Sequence, residues 1–338
     1  MTLVLSHDDV LLYQADAQDL PLVDECVDCV VTSPPYWGLR DYGLGDAGIG
    51  LEPTPELYVE HLVEAFREVR RVLKPWGTVW LNLGDCYAAS PKGSLAGQDK
   101  SGLTSTQTQE HSPVGGVDKR RGSGLKQKDL VMVPARVALA LQQPHLQCKG
   151  CGNVSHQSVW GKFPNGRLIC PRCERASGHE IDTPGWWLRS DIVWSKPNPM
   201  PEPVRDRPTN SHEHVFLLAK AQRYYFDAEA IREPLAKATL EDLAHRRKPG
   251  EHDGATSRVA SLAGRNKHTV WTIATSPYSE AHFATFPELL VEPCILAGTS
   301  ERGVCPTCGR PWERVVERTT MEIDRTHSRT SGTMTKPP

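Results

Sequence analysis

Val27-Asp28-Cys29-Val30-Val31-Thr32-Ser33-Pro34-Pro35-Tyr36 is the stretch on which the reading of this chain turns. Val27, Val30 and Val31 are β-branched residues in an apolar run, the pattern of a buried strand. Two consecutive prolines then end it, because neither has a backbone N–H to give to a ladder. At the strand's end stands a stiff turn offering carbonyl oxygens, the Ser33 hydroxyl and the Tyr36 ring. Such a turn suits the exocyclic amine of a nucleobase, a poor nucleophile while its lone pair is delocalised into the ring. Acceptors on its N–H groups, Ser33 Oγ and the Pro34 carbonyl, favour a pyramidal nitrogen and stabilise the positive charge growing there. Tyr36 could then stack on a base that has left the duplex. An ordinary proline-rich turn after a strand fits the same five residues.

Downstream, Thr54-Pro55 opens a helix with Thr at the N-cap and Pro at N1, and Leu62, Phe66, Val69 and Leu73 repeat at helical spacing until Pro75 and Gly77. Thr78 to Leu83 is the next strand, which makes residues 30–83 a strand–helix–strand unit with a right-handed crossover. Upstream, LVL and CVV read as two strands separated by YQADAQDLPL. KDLVMVPARVALALQQ predicts a helix, DIVWSKP and EHVFLLAK a pair of strands, and HFATFPELLVEPCIL a helix from Pro287.

The 338 residues carry a net charge of −2, with a pI of about 6.7. A chain wrapping nucleic acid over a broad surface is basic, so such contact here is expected in local patches. Two polar stretches supply them: 90–128 with Lys119, Arg120, Arg121, Lys126 and Lys128, and 236–268 with Arg246, Arg247, Lys248, Arg258, Arg265 and Lys267. A solvated basic turn is the plainer reading of the first cluster, and the two stretches together are where recognition of a nucleic-acid sequence is expected. No stretch approaches the length of a membrane span, and MTLVLSHDDV lacks a positive region followed by an apolar core. A cytoplasmic protein without a membrane partner is the expectation.

Ten cysteines are present, and four of them, Cys148, Cys151, Cys170 and Cys173, form two CxxC pairs eighteen residues apart. That is the spacing of a structural zinc ribbon stapling an insertion; four thiolates leave no open ligand position for catalysis. Cys26 and Cys29 lie three apart along a strand, point to opposite faces and read as buried thiols. Cys305 and Cys308 look like half of a second ribbon.

TSPPYWGLRDYG, GTVWLNLGDCYA, DIVWSKPNP with SHEHVFLLAK, and HFATFP resemble, in that order, the DNA amino-methyltransferases in which the SPPY loop precedes the cofactor loop. The resemblance covers most of residues 1–300. It implies an α/β, Rossmann-like methyltransferase sheet with circularly permuted motif order, S-adenosylmethionine as cofactor and double-stranded DNA as substrate. It makes Ser33, Pro34, Pro35 and Tyr36 catalytic and puts Trp37, Trp194, Lys196, Asn198 and Glu213 beside an extruded base. Asp16 matches the residue near the cofactor's adenine end, and Phe283 and Phe286 match those near its methionine end. Core packing explains Trp194 and the two phenylalanines as well, and solvent exposure explains Asp16 and Lys196. Within the family SPPY tends to mark cytosine-N4 enzymes, with adenine-N6 methylation the nearest alternative and a non-catalytic DNA-binding module another. Action on protein glutamine or RNA fits the long polar insertions less well.

The organisation this predicts is a first part of the catalytic core at 1–89, a polar loop at 90–128, a core helix at 129–143, the zinc-ribbon insertion at 144–180, a core strand pair at 181–235, a basic loop at 236–268, a core segment at 269–298, and a half ribbon with polar tail at 299–338. The family's Asp-Pro-Phe-x-Gly-x-Gly cofactor loop is absent from the sequence. Gly43, Gly45 and Gly48 satisfy GxGxxG but introduce no helix, and read as a decoy. The sheet is therefore expected to be incomplete at its C-terminal end. A second polypeptide would complete it, or the product is a truncated relative, or the 43–50 loop has taken over cofactor binding.

Overall fold

The computed structural model describes residues 2–7, 9–39, 48–88, 124–238, 241, 264–276 and 285–315. In chain order the strands are β1 (Thr2–His7), β2 (Val10–Gln14), β3 (Val27–Thr32), β4 (Leu73–Leu83), β5 (His145–Cys148), β6 (Val154–His156), β7 (Gly161–Lys162), β8 (Leu168–Ile169), β9 (His179–Thr183), β10 (Trp187–Ser195), β11 (His212–Ala219) and β12 (Val270–Thr272). The helices are α1 (Pro55–Val72), α2 (Val133–Leu141) and α3 (Glu288–Gly298).

α1 starts where Thr54 caps it, its hydroxyl accepting from Leu57 N at 3.2 Å, a bond worth about 1 kcal/mol. Its apolar stripe, Tyr58, Leu62, Val63 and Phe66, is buried, and each such side chain contributes about 1.5–3 kcal/mol. The helix stops at Val72, sooner than the apolar spacing predicts, because Lys74 precedes Pro75 and the chain is already extended at Leu73 (φ −74°, ψ 135°). β4 therefore begins at Leu73 and not at Thr78, and its pairing with β3 shifts register between Val27 and Cys29.

The central sheet runs β12-β10-β11-β4-β3. β3 and β4 are parallel, β11 is antiparallel to β4 and to β10, and β12 is parallel to β10. Side chains alternate across it. Val79, Leu81 and Leu83 pack under α1 and α2, while Trp80, Val215 and Leu217 pack against Leu290 and Cys294 of α3 on the other face. The last turn of α3 comes close to the sheet at Gly298, where a Cβ would lie 2.7 Å from both Cys29 Sγ and Thr78 Oγ1. This is the expected mixed α/β sheet, five-stranded among the described residues.

β3 is its outermost strand, with β4 as its one partner among the described residues.

Two expectations change. The N-terminal segment forms a hairpin, β1 with β2, as a separate two-stranded sheet; Val10–Gln14, of which Tyr13 and Gln14 open the expected connection, is its second strand. The helix expected over 129–143 spans only Val133–Leu141. Residues before it are not helical: Lys128 and Met132 are left-handed (φ +71° and +60°), and the main chain bonds back to the β4 exit, with Val131 N donating to the Cys86 carbonyl and Ala88 N to the Asp129 carbonyl.

The insertion forms a small layer of its own, a β6-β5-β9 sheet and the β7-β8 hairpin. Its apolar centre is little more than Leu146, Trp160 and the cysteines. It is seated on the core by His145 Nε2 to Glu64 (3.1 Å), His156 Nε2 to the Ala140 carbonyl (2.6 Å) and Arg67 to Asp182 (2.8 Å).

Candidate active site and metal centre

β3, β4, β10 and β12 all point one way, so their carboxyl ends share one edge with the start of antiparallel β11. Ligands in open α/β sheets bind outside such ends. Ser33, Pro34, Pro35 and Tyr36 turn across it, with Asn82 from β4, Glu213 from β11 and Lys196 just after β10.

A buried polar network joins them. The Tyr36 hydroxyl donates to Glu213 Oε2 at 2.7 Å and lies 3.0 Å from Asn82 Oδ1, while Asn82 Nδ2 donates to Glu213 Oε2 at 3.0 Å and to the His214 carbonyl at 3.2 Å. Lys196 Nζ bonds Glu213 Oε1 and sits 4.2 Å over the Trp194 ring. Burial, reinforced by the Glu213 carboxylate, holds the Tyr36 phenol well above its ordinary pKa. It stays a neutral donor. With its proton committed to Glu213, the phenol oxygen accepts from Ser33 Oγ at 3.5 Å. At 3.5 Å that contact is long, and a Ser33 hydroxyl turned toward it would keep its lone pairs for a ligand N–H.

The main chain of the turn is equally fixed. Tyr58 donates to the Pro35 carbonyl at 2.8 Å, so the Pro34 carbonyl is the one of the pair that Tyr58 does not take. Gly84 makes room for the ring: a Cβ there would lie 2.6 Å from Tyr36 Cε2.

The other expected site residues fall as follows. Trp37 is 1% exposed, and its indole donates to the Glu52 carbonyl at 2.8 Å; in this placement it packs the core and shows no face to a base. Trp194 is also buried, bonded to the Ile273 carbonyl (2.8 Å). Asn198 is engaged twice by the backbone of Thr275, at 3.3 and 3.0 Å. Asp16 is exposed and accepts from Gln18 N (2.9 Å), in a turn whose Leu20 N reaches Glu68 of α1. Phe286 packs with Trp80 and Leu290 on the α3 face. Asp16 and Phe286 thus lie against opposite faces of the sheet, and the described residues do not close a cofactor pocket between them. Phe283, Gly43 and Gly45 lie outside the described residues, as do Lys119, Arg120, Arg121, Arg246, Arg247, Lys248 and Arg258. The described members of the basic stretches are paired: Lys128 with Asp206, and Arg265 and Lys267 with Glu233. Asn82 was missed in the sequence, though its lone amide within the apolar run VWLNL was the available signal.

A cavity of about 760 Å³ lies at the other end of the sheet, lined by charged residues such as Glu64, Arg67 and Arg71. It is remote from the corner.

Cys148, Cys151, Cys170 and Cys173 bring their four sulfurs within 4.8 Å of one another, with Cys148–Cys173 at 3.8 Å and Cys151–Cys170 at 3.7 Å. Tetrahedral zinc with Zn–S bonds of about 2.3 Å requires sulfurs about 3.8 Å apart. The donor set fits zinc.

A family model described as DNA methylase, covering N6 and N4 amino-methyltransferases, matches residues 27–305. The chain belongs to the DNA amino-methyltransferases. The type II methyltransferase M.SmaI of Serratia marcescens is 38% identical to this methyltransferase over 282 residues, 83% of this chain and 72% of the relative. M.Cfr9I of Citrobacter freundii, also a type II methyltransferase, is 38% identical over 290 residues, 85% and 72% respectively. A solved PvuII cytosine-N4-specific DNA methyltransferase has a TM-score of 0.44 and 15% identity, covering 85% of this chain and 70% of that one. As an amino-methyltransferase the chain acts on DNA with S-adenosylmethionine as methyl donor. Among the described residues no helix is long and apolar enough to cross a membrane.

Proposed function

We propose that this DNA amino-methyltransferase modifies the N4 amine of cytosine, as the methylating member of a restriction–modification pair. The observation that carries amine methylation is the chain of contacts from Ser33 through Tyr36 to Glu213, and Ser33 in SPPY, where adenine-N6 enzymes more often carry Asp or Asn, favours cytosine. That chain of contacts leaves the Ser33 oxygen as an acceptor beside the Pro34 carbonyl, two oxygens for the two N–H groups of one amine. Held so, the nitrogen loses conjugation with its ring, and the charge it gains on methylation is met by both acceptors. S-adenosylmethionine, when bound, supplies an electrophilic methyl. No covalent enzyme intermediate is needed, and Cys29, pushed up to about 11 by burial, is no nucleophile.

The base would have to leave the duplex to reach this corner. With its hydroxyl anchored, Tyr36 can present only a ring face or edge, while Trp37 packs in the same core cluster and Trp194 in the cluster on the other face of the sheet. Lys196 neutralises Glu213 at the rim. The outer edge of β3, half-buried and paired on one side only among the described residues, would accept a further strand such as one carrying a cofactor loop. Structural zinc on the four clustered cysteines would hold the insertion together.

Adenine-N6 methylation uses the same amine chemistry and is the second reading. Mass analysis of nucleosides from DNA methylated by the enzyme separates them: N4-methylcytosine supports the proposal, and N6-methyladenine replaces it. A non-catalytic module is favoured only by the separation of Asp16, in a turn bonded to α1, from Phe286 on the α3 side. Calorimetry with S-adenosylmethionine decides that point, since a module gives no heat while still binding DNA in a salt-sensitive way.

A further inference from the structure

A second piece of chain, Gly50 to Tyr58, braces the Ser33–Tyr36 turn. Tyr58 of α1 donates to the Pro35 carbonyl (2.8 Å), the Trp37 indole donates to the Glu52 carbonyl (2.8 Å), and Gly38 N donates to the Gly50 carbonyl (2.6 Å). Gly50 also lies directly on the second proline. At φ +113°, a conformation that glycine adopts without strain, a Cβ would sit 3.1 Å from Pro35 Cβ and 3.5 Å from the Tyr36 carbonyl oxygen. The turn that carries Ser33 and Tyr36 therefore rests on this segment.

One side chain holds the segment itself. Glu52 Oε2 accepts from Gly50 N at 2.9 Å, and its Oε1 lies 3.0 Å from Nδ1 of His61, on the second turn of α1. The Glu52 side chain is 3% exposed. A carboxylate taken so far from water is costly unless its oxygens are engaged, and these two contacts engage both. Its charge also acts on the neighbouring phenol. Burial first, and the Glu52 carboxylate after it, push the Tyr58 pKa up, so Tyr58 stays protonated and donates to Pro35. The start of α1 needs none of this, since Thr54 already caps it.

We propose that Glu52 is a positioning residue for methyl transfer: its carboxylate ties Gly50 to His61 and so fixes the surface on which the backbone of Pro35 to Gly38 rests. It acts through Gly50 and Tyr58, behind the turn. The inference rests on the reading of this turn as the corner that holds the amine. Without the brace, Ser33 Oγ and the Pro34 carbonyl lose their fixed separation and meet the nitrogen less well as it gains charge. A displacement of about 1 Å costs about 100-fold in rate. Binding of DNA does not depend on that separation and changes little.

The test compares wild type, Glu52→Ala, Glu52→Gln and Thr54→Ala in the smallest active assembly, by kcat and KM for DNA, urea midpoint, and amide exchange of Gly38. In Glu52→Ala, kcat and kcat/KM fall together by about 10-fold or more, and Gly38 exchanges faster while β4 does not. Glu52→Gln, whose amide can still accept from Gly50 and donate to His61, restores most of the rate. Thr54→Ala uncaps the same helix without touching the turn, so it lowers the urea midpoint at unchanged kcat and separates a loose helix from a loose turn. Unchanged kcat in Glu52→Ala, or an equal fall in Thr54→Ala, overturns the proposal. Should Glu52→Ala not fold, His61→Ala carries the test through the exposed end of the brace: faster Gly38 exchange and a smaller fall in kcat support it, and no change in either overturns it. Failure of the amine-holding reading is seen separately, as full turnover in Ser33→Ala.

Discussion

The corner at Tyr36 and the cysteine-rich insertion are held by opposite means. Around Tyr36, fixed geometry comes from the sheet: Leu81 and Leu83 on one side of β4 and Trp80 on the other are fully buried, and Tyr36, Asn82 and Glu213 bond one another. The insertion has Leu146 and Trp160 for a centre and strands of two to five residues. So small a core cannot offset the conformational entropy of ordering it. The corner is thus a product of burial, while the insertion has little core beyond its cysteines. With zinc on those cysteines, as proposed, stripping the metal should therefore divide the molecule.

The largest effect should follow metal removal. Structural zinc contributes about 10–16 kcal/mol of apparent binding energy in small folds, so a chelator or Cys148→Ser should abolish amide protection over 145–183. The strands β4 and β11 should keep theirs. Loss of protection throughout would show that the two regions are one cooperative unit. Next is Gly84→Ala, which brings a methyl to 2.6 Å from the Tyr36 ring. Overpacking of this kind costs about 1–3 kcal/mol, measurable by urea denaturation, and methyl transfer should fall further than stability does because the ring moves.

Glu213→Gln should be milder for the fold, about 1 kcal/mol in the same denaturation, since the amide still accepts from Tyr36. It should nevertheless slow methyl transfer, because Lys196 loses its counter-charge at the rim. An unchanged rate would remove Glu213 from the account.

The smallest effect is the pH dependence of the seat between the two regions. Burial lowers the pKa of His156 below its ordinary 6.5, so below that value the released insertion takes up a proton that the seated one does not. The bond to His145 lowers Glu64 below 4.5; its contribution is present above that value and lost as pH falls through the lower, seated one. Both terms weaken seating on acidification. Hydrogen exchange of β5 and β6 should quicken from pH 7.5 to 5.5, while that of β4, corrected for intrinsic rates, stays constant.

The parts legible in the sequence were those with short-range causes. Thr54-Pro55 announced α1, Pro34-Pro35 ended β3, and the CxxC spacing gave the sulfur cluster. The parts that were not legible depend on partners far along the chain. Trp37 reads as a residue beside the substrate base, yet its indole donates to the Glu52 carbonyl and the core closes over it. Asn82 reads as a blemish in a strand until β11 brings Glu213 against it, 131 residues away in sequence. VLLYQ became a strand because β1 folds back on it, and α2 lost its first turn to main-chain bonds from the β4 exit.

The central claim is that Tyr36 orients Ser33 to accept from an amine. Its most direct test is methyl transfer from labelled S-adenosylmethionine to double-stranded DNA, in the smallest assembly that is active, with wild type, Ser33→Ala and Tyr36→Phe compared at saturating DNA. Loss of one such positioned group costs about 100-fold or more in turnover, and the account predicts a fall of that size in both variants with DNA affinity little changed. Full turnover in Tyr36→Phe, or in Ser33→Ala, would contradict it.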